Sequence, residues 1–306
     1  MKKFLLKRWS AQQITSAIVV AGSTFMLLMT LHPELILRNN TPTGGDMGAH
    51  VYGPAYLRDF LLPHFRLTGW SNDWYSGFPM YRFYMVVPAL AVLLVDLILP
   101  YGIALKLIAV LGILTLPVCT WLFGKFARFL FPIPELLTLA SVVFLYDESF
   151  TIYGGNIAST MAGEFSFSIS LSLAILGFGL LIRAFEEHRG KMLTALVVAL
   201  SALSHGIVLL FVFGGVVLLA AVWFERRSAM TALTVSVTAV LLSSFWVLPF
   251  LTGHAYMTDM KYEPRPSGAT DSFWDMFFPH TVFWDLFVMA FALIGFAACI
   301  IRKKIF

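Results

Sequence analysis

Eight apolar runs divide the chain, separated by short polar segments. A helix crossing the hydrocarbon of a bilayer needs about 20 apolar residues, and the first run, Ile14 to Leu37, has that length. The others are Tyr84 to Leu99, Ile103 to Phe123, Pro134 to Tyr146, Phe165 to Ile182, Met192 to Phe224, Thr231 to Leu251 and Val282 to Ile301. Met192 to Phe224 is too long for one untilted span and is interrupted at His205-Gly206, so it reads as two short spans joined near one surface. The pattern predicts an all-α polytopic membrane protein.

Sidedness follows from Lys and Arg, which concentrate on the cytoplasmic side of membrane helices. Five clusters, Lys2/Lys3/Lys7/Arg8, Lys125/Arg128, Arg183/Arg189/Lys191, Arg226/Arg227 and Arg302/Lys303/Lys304, hold 14 of the 21 basic residues. All five share a side only if Tyr84 to Leu99 does not cross. Pro88, Asp96 and Pro100 suit that run to a re-entrant or interfacial helix. The result is about eight transmembrane helices in a single transmembrane domain over residues 1–306, with both termini cytoplasmic. A large first outer loop covers 38–102 and another outer loop covers 252–281. Only Glu135, Glu186, Glu187 and Glu225 then stay inside, while Asp46, His50, Asp147, Glu148, Glu164, His205 and His254 gather outside.

Composition narrows the class. The chain is 59% hydrophobic and 12% charged, against about 25% charged for soluble domains. The net charge of +4 is explained by the cytoplasmic clusters, so no nucleic-acid partner is inferred. Cys119 and Cys299 lie inside apolar runs without metal-ligand spacing and read as small hydrophobes. MKKFLLKRW is a basic start, but the run after it lacks a clear small-residue cleavage site and reads as an uncleaved first span.

The outer loops carry the candidate chemistry. Ala49 to Leu62 mixes apolar positions with His50, Arg58 and Asp59, a pattern that suits a helix lying in the interface. The following GWSNDWYSGFPMYRFYMVVPAL brings Trp70, Trp74, Tyr75, Tyr81 and Tyr84, which serve either as membrane-belt anchors or as rings that stack on a sugar. Gly44-Gly45-Asp46 permits a tight turn out of the first span, and Asp46 is either a helix cap or a working carboxylate. Glu164, between Gly163 and an apolar helix, poses the same choice: a helix-start acid favoured by the macrodipole, or a functional group at the membrane edge. His205 marks the break between two helices, where it either satisfies backbone groups or joins a site.

In combination these segments are similar to a known class. The basic first span, the large outer loop with an early Asp, the interfacial helices and the many later spans resemble the GT-C class of membrane glycosyltransferases. More narrowly, GGDMGAHVYGPAYLRD, WSNDWYSGFPMYRFYMVVPAL and STMAGEFSFSISLSLAIL resemble the bacterial membrane family labelled 6-pyruvoyl-tetrahydropterin-synthase-related, over roughly residues 10–220. The label implies no pterin chemistry here, since no soluble pterin-enzyme motif is present. The resemblance implies transfer of a sugar from a polyprenyl-phosphate donor to a glycan or lipid acceptor, on the outer face of a bacterial plasma membrane. Asp46 would be the general base and Glu164 a second catalytic carboxylate. His50, Arg58, Trp74, Tyr81, Arg82, His205 and Arg265 would bind substrate, with Arg58, Arg82, Lys106 and Arg265 as cations for the leaving phosphate. A divalent metal ion on Asp46, Glu164 and His205 is a further expectation, although no DxD motif supports it. Because GT-C chains commonly continue, the end at RKKIF fits an N-terminal part of a longer protein.

Two other classes remain open: a transporter or flippase of a lipid-linked substrate, and a non-catalytic membrane assembly subunit. Transporters place ionisable groups at mid-membrane and show internal repeats. Here the span centres are almost free of charge and the halves show no repeat.

Overall fold

A computed structural model describes residues 9–257 apart from 75, 85, 149–152 and 224, together with 290, 293, 294 and 297. By internal contacts the chain divides into Met1–Ala255 and Tyr256–Phe306, and the helical core belongs to the first unit. The expected span Val282 to Ile301 and the candidate Arg265 lie outside the described residues or almost wholly so.

The chain is mostly helical. Helix α1 (Ala11–Thr30) starts at a capping box: Gln13 N–H donates to Ser10 Oγ at 3.2 Å, and Ser10 N–H donates to Gln13 Oε1 at 2.9 Å. The run expected as one span to Leu37 stops there. His32 takes a left-handed φ of 55° and Pro33 opens the short α2 (Pro33–Ile36), because a helix rarely continues into the residue before a proline. Helix α3 (Met47–Tyr56) winds into a π turn at Leu57–Leu61, within the stretch expected to lie in the interface. The aromatic segment that follows is not helical: β1 (Gly69–Ser71) pairs antiparallel with β2 (Phe78–Met80), with Trp70 opposite Pro79. This small ribbon adds strand structure to an otherwise helical fold.

Helix α4 (Val87–Asp96) has ten residues, about 15 Å at 1.5 Å per residue, half of what a crossing requires. The remaining helices are α5 (Tyr101–Phe126), α6 (Ile133–Leu145), α7 (Ile157–Ser159), α8 (Phe165–Glu187), α9 (Lys191–Ala202), α10 (Gly206–Val222) and α11 (Arg226–Gly253). A π turn at Thr160–Glu164 leads into α8. Among the described residues four stretches are long and apolar enough to cross a membrane: Ala11–Thr30, Tyr101–Phe126, Ile157–Glu187 and Arg226–Tyr256. Helices α4, α6, α9 and α10 are apolar but shorter, at 10–17 residues.

Helices α5 and α8 form the centre, with α1, α4 and α6 against α5 and with α9 and α10 against α8. The closest approach is at Gly112, where a Cβ would collide with the backbone of Ser168 and Ile169. Small residues of this kind let membrane helices pack tightly. The start of α8, FSFSISLSL, alternates as a strand would, yet the helix spreads its buried serines over opposite sides. Ser172 Oγ donates to Gly112 O at 2.8 Å, and Ser168 Oγ meets Thr160 Oγ1 at 2.5 Å. Ser170 Oγ donates to Ser201 O at 2.7 Å while Ser201 Oγ donates to Ser170 O at 2.8 Å. The interhelical bonds, to Gly112 and Ser201, contribute about 0.6 kcal/mol each.

The outer faces are apolar. Helix α1 buries only Ser23 and Leu27 and exposes Ile18, Phe25 and Met29, while α10 exposes Ile207, Leu210, Phe211 and Phe213. Contiguous apolar surface of this extent is rare on soluble monomers and is compatible with an integral membrane protein.

Candidate functional site

Two turns interlock to build the site. Gly44 and Gly45 take φ of 98° and 50°, a left-handed pair that glycine accepts without strain. They bring Asp46 N–H to Ala162 O at 2.7 Å. From the other side Gly163 takes φ 128°, and a Cβ there would lie 2.8 Å from Asp46 Cβ. The turn before α3 is thus keyed to the turn before α8, which brings Asp46 and Glu164 to one cavity. Both acids are N-cap residues, and neither side chain makes a cap hydrogen bond. The side-chain hydrogen bond of a cap is absent from both, although each keeps a helix-start position that the macrodipole favours.

The cavity encloses 340 Å³ and is lined by Asp46, His50, Trp74, Phe78, Met80, Tyr81, Tyr84, Glu164, Phe165 and Ser166, with small residues between them. Its walls are largely aromatic and carry two carboxylates, the general form of a small-molecule site. The rings are braced from behind. Tyr52 sits 5.8 Å from Trp74 between ring centroids, and its hydroxyl meets Ser71 Oγ at 2.6 Å and donates to Asp73 Oδ2 at 3.0 Å. Trp246 Nε1 on α11 donates to the carbonyls of both Tyr81 and Tyr84, at 3.1 Å each. Burial pushes the Tyr81 phenol well above its ordinary value and that of Tyr84 up as well, so both remain hydroxyl donors at neutral pH.

His50 lines the same cavity and feels the charge of both acids. Burial pushes its imidazole below the ordinary value, and the Glu164 and Asp46 charges and a hydrogen bond to the Gly163 carbonyl offset this only in part. The ring is therefore neutral at pH 7, one N–H held by Gly163 and the other nitrogen a lone-pair acceptor. It packs edge-on to Phe165, with ring centroids 4.9 Å apart. His205 lies in the break between α9 and α10, with Nε2 at 3.4 Å from Glu164 Oε2 and its ring 5.1 Å from that of Phe167. Its Nδ1 is buried without a partner.

Of the residues expected from sequence, the cavity thus gathers Asp46, His50, Trp74, Tyr81 and Glu164, with His205 directly behind Glu164. The cations do not join them. Arg58 is bound to Asp59 at 2.7 Å and to Asp96 at 2.8 Å and lies over the Tyr101 ring, tying α4 to the π turn after α3. Lys106 Nζ donates to Leu35 O, Arg38 O and Asn40 Oδ1, holding the chain after α2. Arg82 lies against Gly253 at the end of α11, where an added Cβ would be 3.1 Å from its Nε. A helix C-terminus attracts a cation. No Lys or Arg is among the described residues lining the cavity. Among the described residues no group of three His, Cys, Asp or Glu could hold a metal ion, so Asp46, Glu164 and His205 do not fit one together.

Three contributors escaped the sequence reading. Trp246 acts through backbone carbonyls 162 and 165 residues away, for which no local signal exists. Phe165 and Ser166 looked like the start of an ordinary apolar helix, although their position beside Glu164 placed them at the same membrane edge. Comparison with known proteins adds no relative: no protein-family model matches the chain, and no curated protein or solved structure shows significant similarity to it.

Proposed function

We propose that the chain is a membrane glycosyltransferase of the GT-C type, moving a sugar from a polyprenyl-phosphate donor to a hydroxyl acceptor. The observation that carries this reading is the pair of carboxylates at helix starts, released from capping, in an aromatic-walled cavity. Asp46 takes the proton from the acceptor hydroxyl and the acceptor oxygen forms a bond to the anomeric carbon. The bond from that carbon to the phosphate oxygen breaks, and the polyprenyl phosphate leaves with the electron pair. Trp74, Tyr81 and Tyr84 offer faces and hydroxyls to a sugar ring. Glu164, with His205 behind it, holds further hydroxyls of the sugar.

Electrostatics divides the labour. Two carboxylates beside a neutral imidazole suit neutral hydroxyl groups and repel phosphate. The leaving phosphate is therefore neutralised outside this cavity. No step is assigned to a metal ion. In this reading about eight helices cross a bacterial plasma membrane with both termini cytoplasmic, and the cavity faces outward.

The break between α9 and α10 beside an ionisable pair also suits transport of a lipid-linked substrate, since transporters build sites at broken helices. One assay separates the two. Purified protein is given a panel of polyprenyl-phosphate sugars with acceptor lipids and glycans, and free polyprenyl phosphate is measured. Glycosyl transfer predicts its release with at least one donor. Movement of intact donor between vesicle leaflets without release would assign transport instead.

A further inference from the structure

A second cavity, of 520 Å³, lies where the end of α8 meets the starts of α9 and α11, and is lined by His188, Lys191, Arg226, Arg227, Met230 and Thr231. Lys191 is the first residue of α9, and Arg226 and Arg227 are the first two of α11. His188 follows the last residue of α8 in a left-handed turn, with φ 56°. Three cations from two helix starts thus line one cavity. The macrodipole disfavours positive charge at a helix start, and like charges around one concavity repel. Nearby cations are relieved by acids: Arg128 pairs with Glu186 at 2.6 Å and Arg183 with Glu187 at 3.0 Å. Among the described residues no acid lines this cavity, and none pairs with Lys191, Arg226 or Arg227. Thr231 is the most buried of the six lining residues, at 1% exposed, and its hydroxyl has no partner among the described residues.

This chemistry selects an anion, and its donors select phosphate. Two guanidinium forks and an ammonium match phosphate oxygens, and His188 and Thr231 can each donate one hydrogen bond more. Neither helix start is capped by a side chain, so the first N–H groups of α9 and α11 also lack intrahelical partners. The flanks indicate what carries the phosphate. Met230 in the cavity wall is exposed, as are Met192 and Leu193 on α9 and Leu233 on α11. A free phosphate leaves this apolar surface uncovered, whereas acyl chains lie along it. We propose that the cavity binds the phosphate head of an anionic phospholipid, whose chains run along the exposed faces of α9 and α11. Basic pockets between membrane helices take such heads, and a choline head would bring a fourth cation into the cluster. The site shares no lining residue with the Asp46 cavity and does not depend on the glycosyltransferase reading.

The test is native mass spectrometry of the purified full chain, stripped of lipid by detergent and incubated with equimolar phosphatidylglycerol and phosphatidylcholine. The wild type should retain phosphatidylglycerol in preference to phosphatidylcholine. Lys191→Gln and Arg227→Gln, on different helices, should each lower that preference about fivefold. Lys125→Gln, an exposed cation at the end of α5 that does not line the cavity, should leave it at the wild-type level. Excess inorganic phosphate should displace no more phosphatidylglycerol than chloride does at equal ionic strength. If one cavity variant does not fold, the other decides. Equal retention of the two lipids by the wild type overturns the proposal, as does a loss in Lys125→Gln equal to that in the cavity variants. Specific displacement by inorganic phosphate would assign the cavity to a soluble anion and overturn it as a lipid site.

Discussion

Asp46 and Glu164 each occupy the position before a helix, where an acidic side chain ordinarily folds back to accept from the first turn. Both leave that role unfilled, at helix starts where the macrodipole favours negative charge. His50 responds to them. Its folded pKa is depressed below 6.5 mainly by burial, so the unfolded chain takes up the proton first as pH falls. Stability contributed by the neutral ring is complete above about pH 6.5 and declines with acidification until the folded pKa is reached. The melting temperature in detergent should therefore drop as the pH falls below about 6.5, and His50→Gln should flatten that drop. An equal drop in the variant would remove His50 as its source. Asp46, His50 and Glu164 were legible because polar residues stood at the edges of apolar runs. The pairing of Arg58 was not legible, because Asp96, its partner 38 residues on, lies in a run whose pattern announces only a helix.

Among the elements, the apolar runs gave the helices their identity but not their ends. Chemistry inside the runs set those: His32-Pro33 cuts the first, and α9 and α10 separate at 203–205, where the sequence placed the break. The aromatic segment paired as a ribbon because the positions of Trp70 and Phe78 are fixed by their cross-strand neighbours, which a one-dimensional pattern does not contain. Packing of α5 on α8 depends on the missing side chain at Gly112. Gly112→Leu forces the two backbones apart, and overpacking of this kind costs about 1–3 kcal/mol. A lower melting temperature with reduced yield of folded protein is the expected result. A melting temperature equal to wild type would mean that this approach is not a determinant of the fold.

For the whole molecule, membrane class was legible from composition, whereas sidedness rests on the basic clusters. Tyr153, 74% exposed beside the turn that leads to Glu164, should as Tyr153→Cys react with an impermeant thiol reagent in intact cells. Arg227→Cys, exposed at the start of α11, should react only after the membrane is opened. The reverse pattern would turn the Asp46 cavity to the cytoplasm. The central claim is that Asp46 draws the proton from the acceptor. The direct measurement compares wild type and Asp46→Asn, matched for folded protein in the same lipid, for the rate of polyprenyl-phosphate release with donor and acceptor present. Loss of a positioned base predicts a fall of about 10²–10⁴-fold, and an unchanged rate would contradict the account.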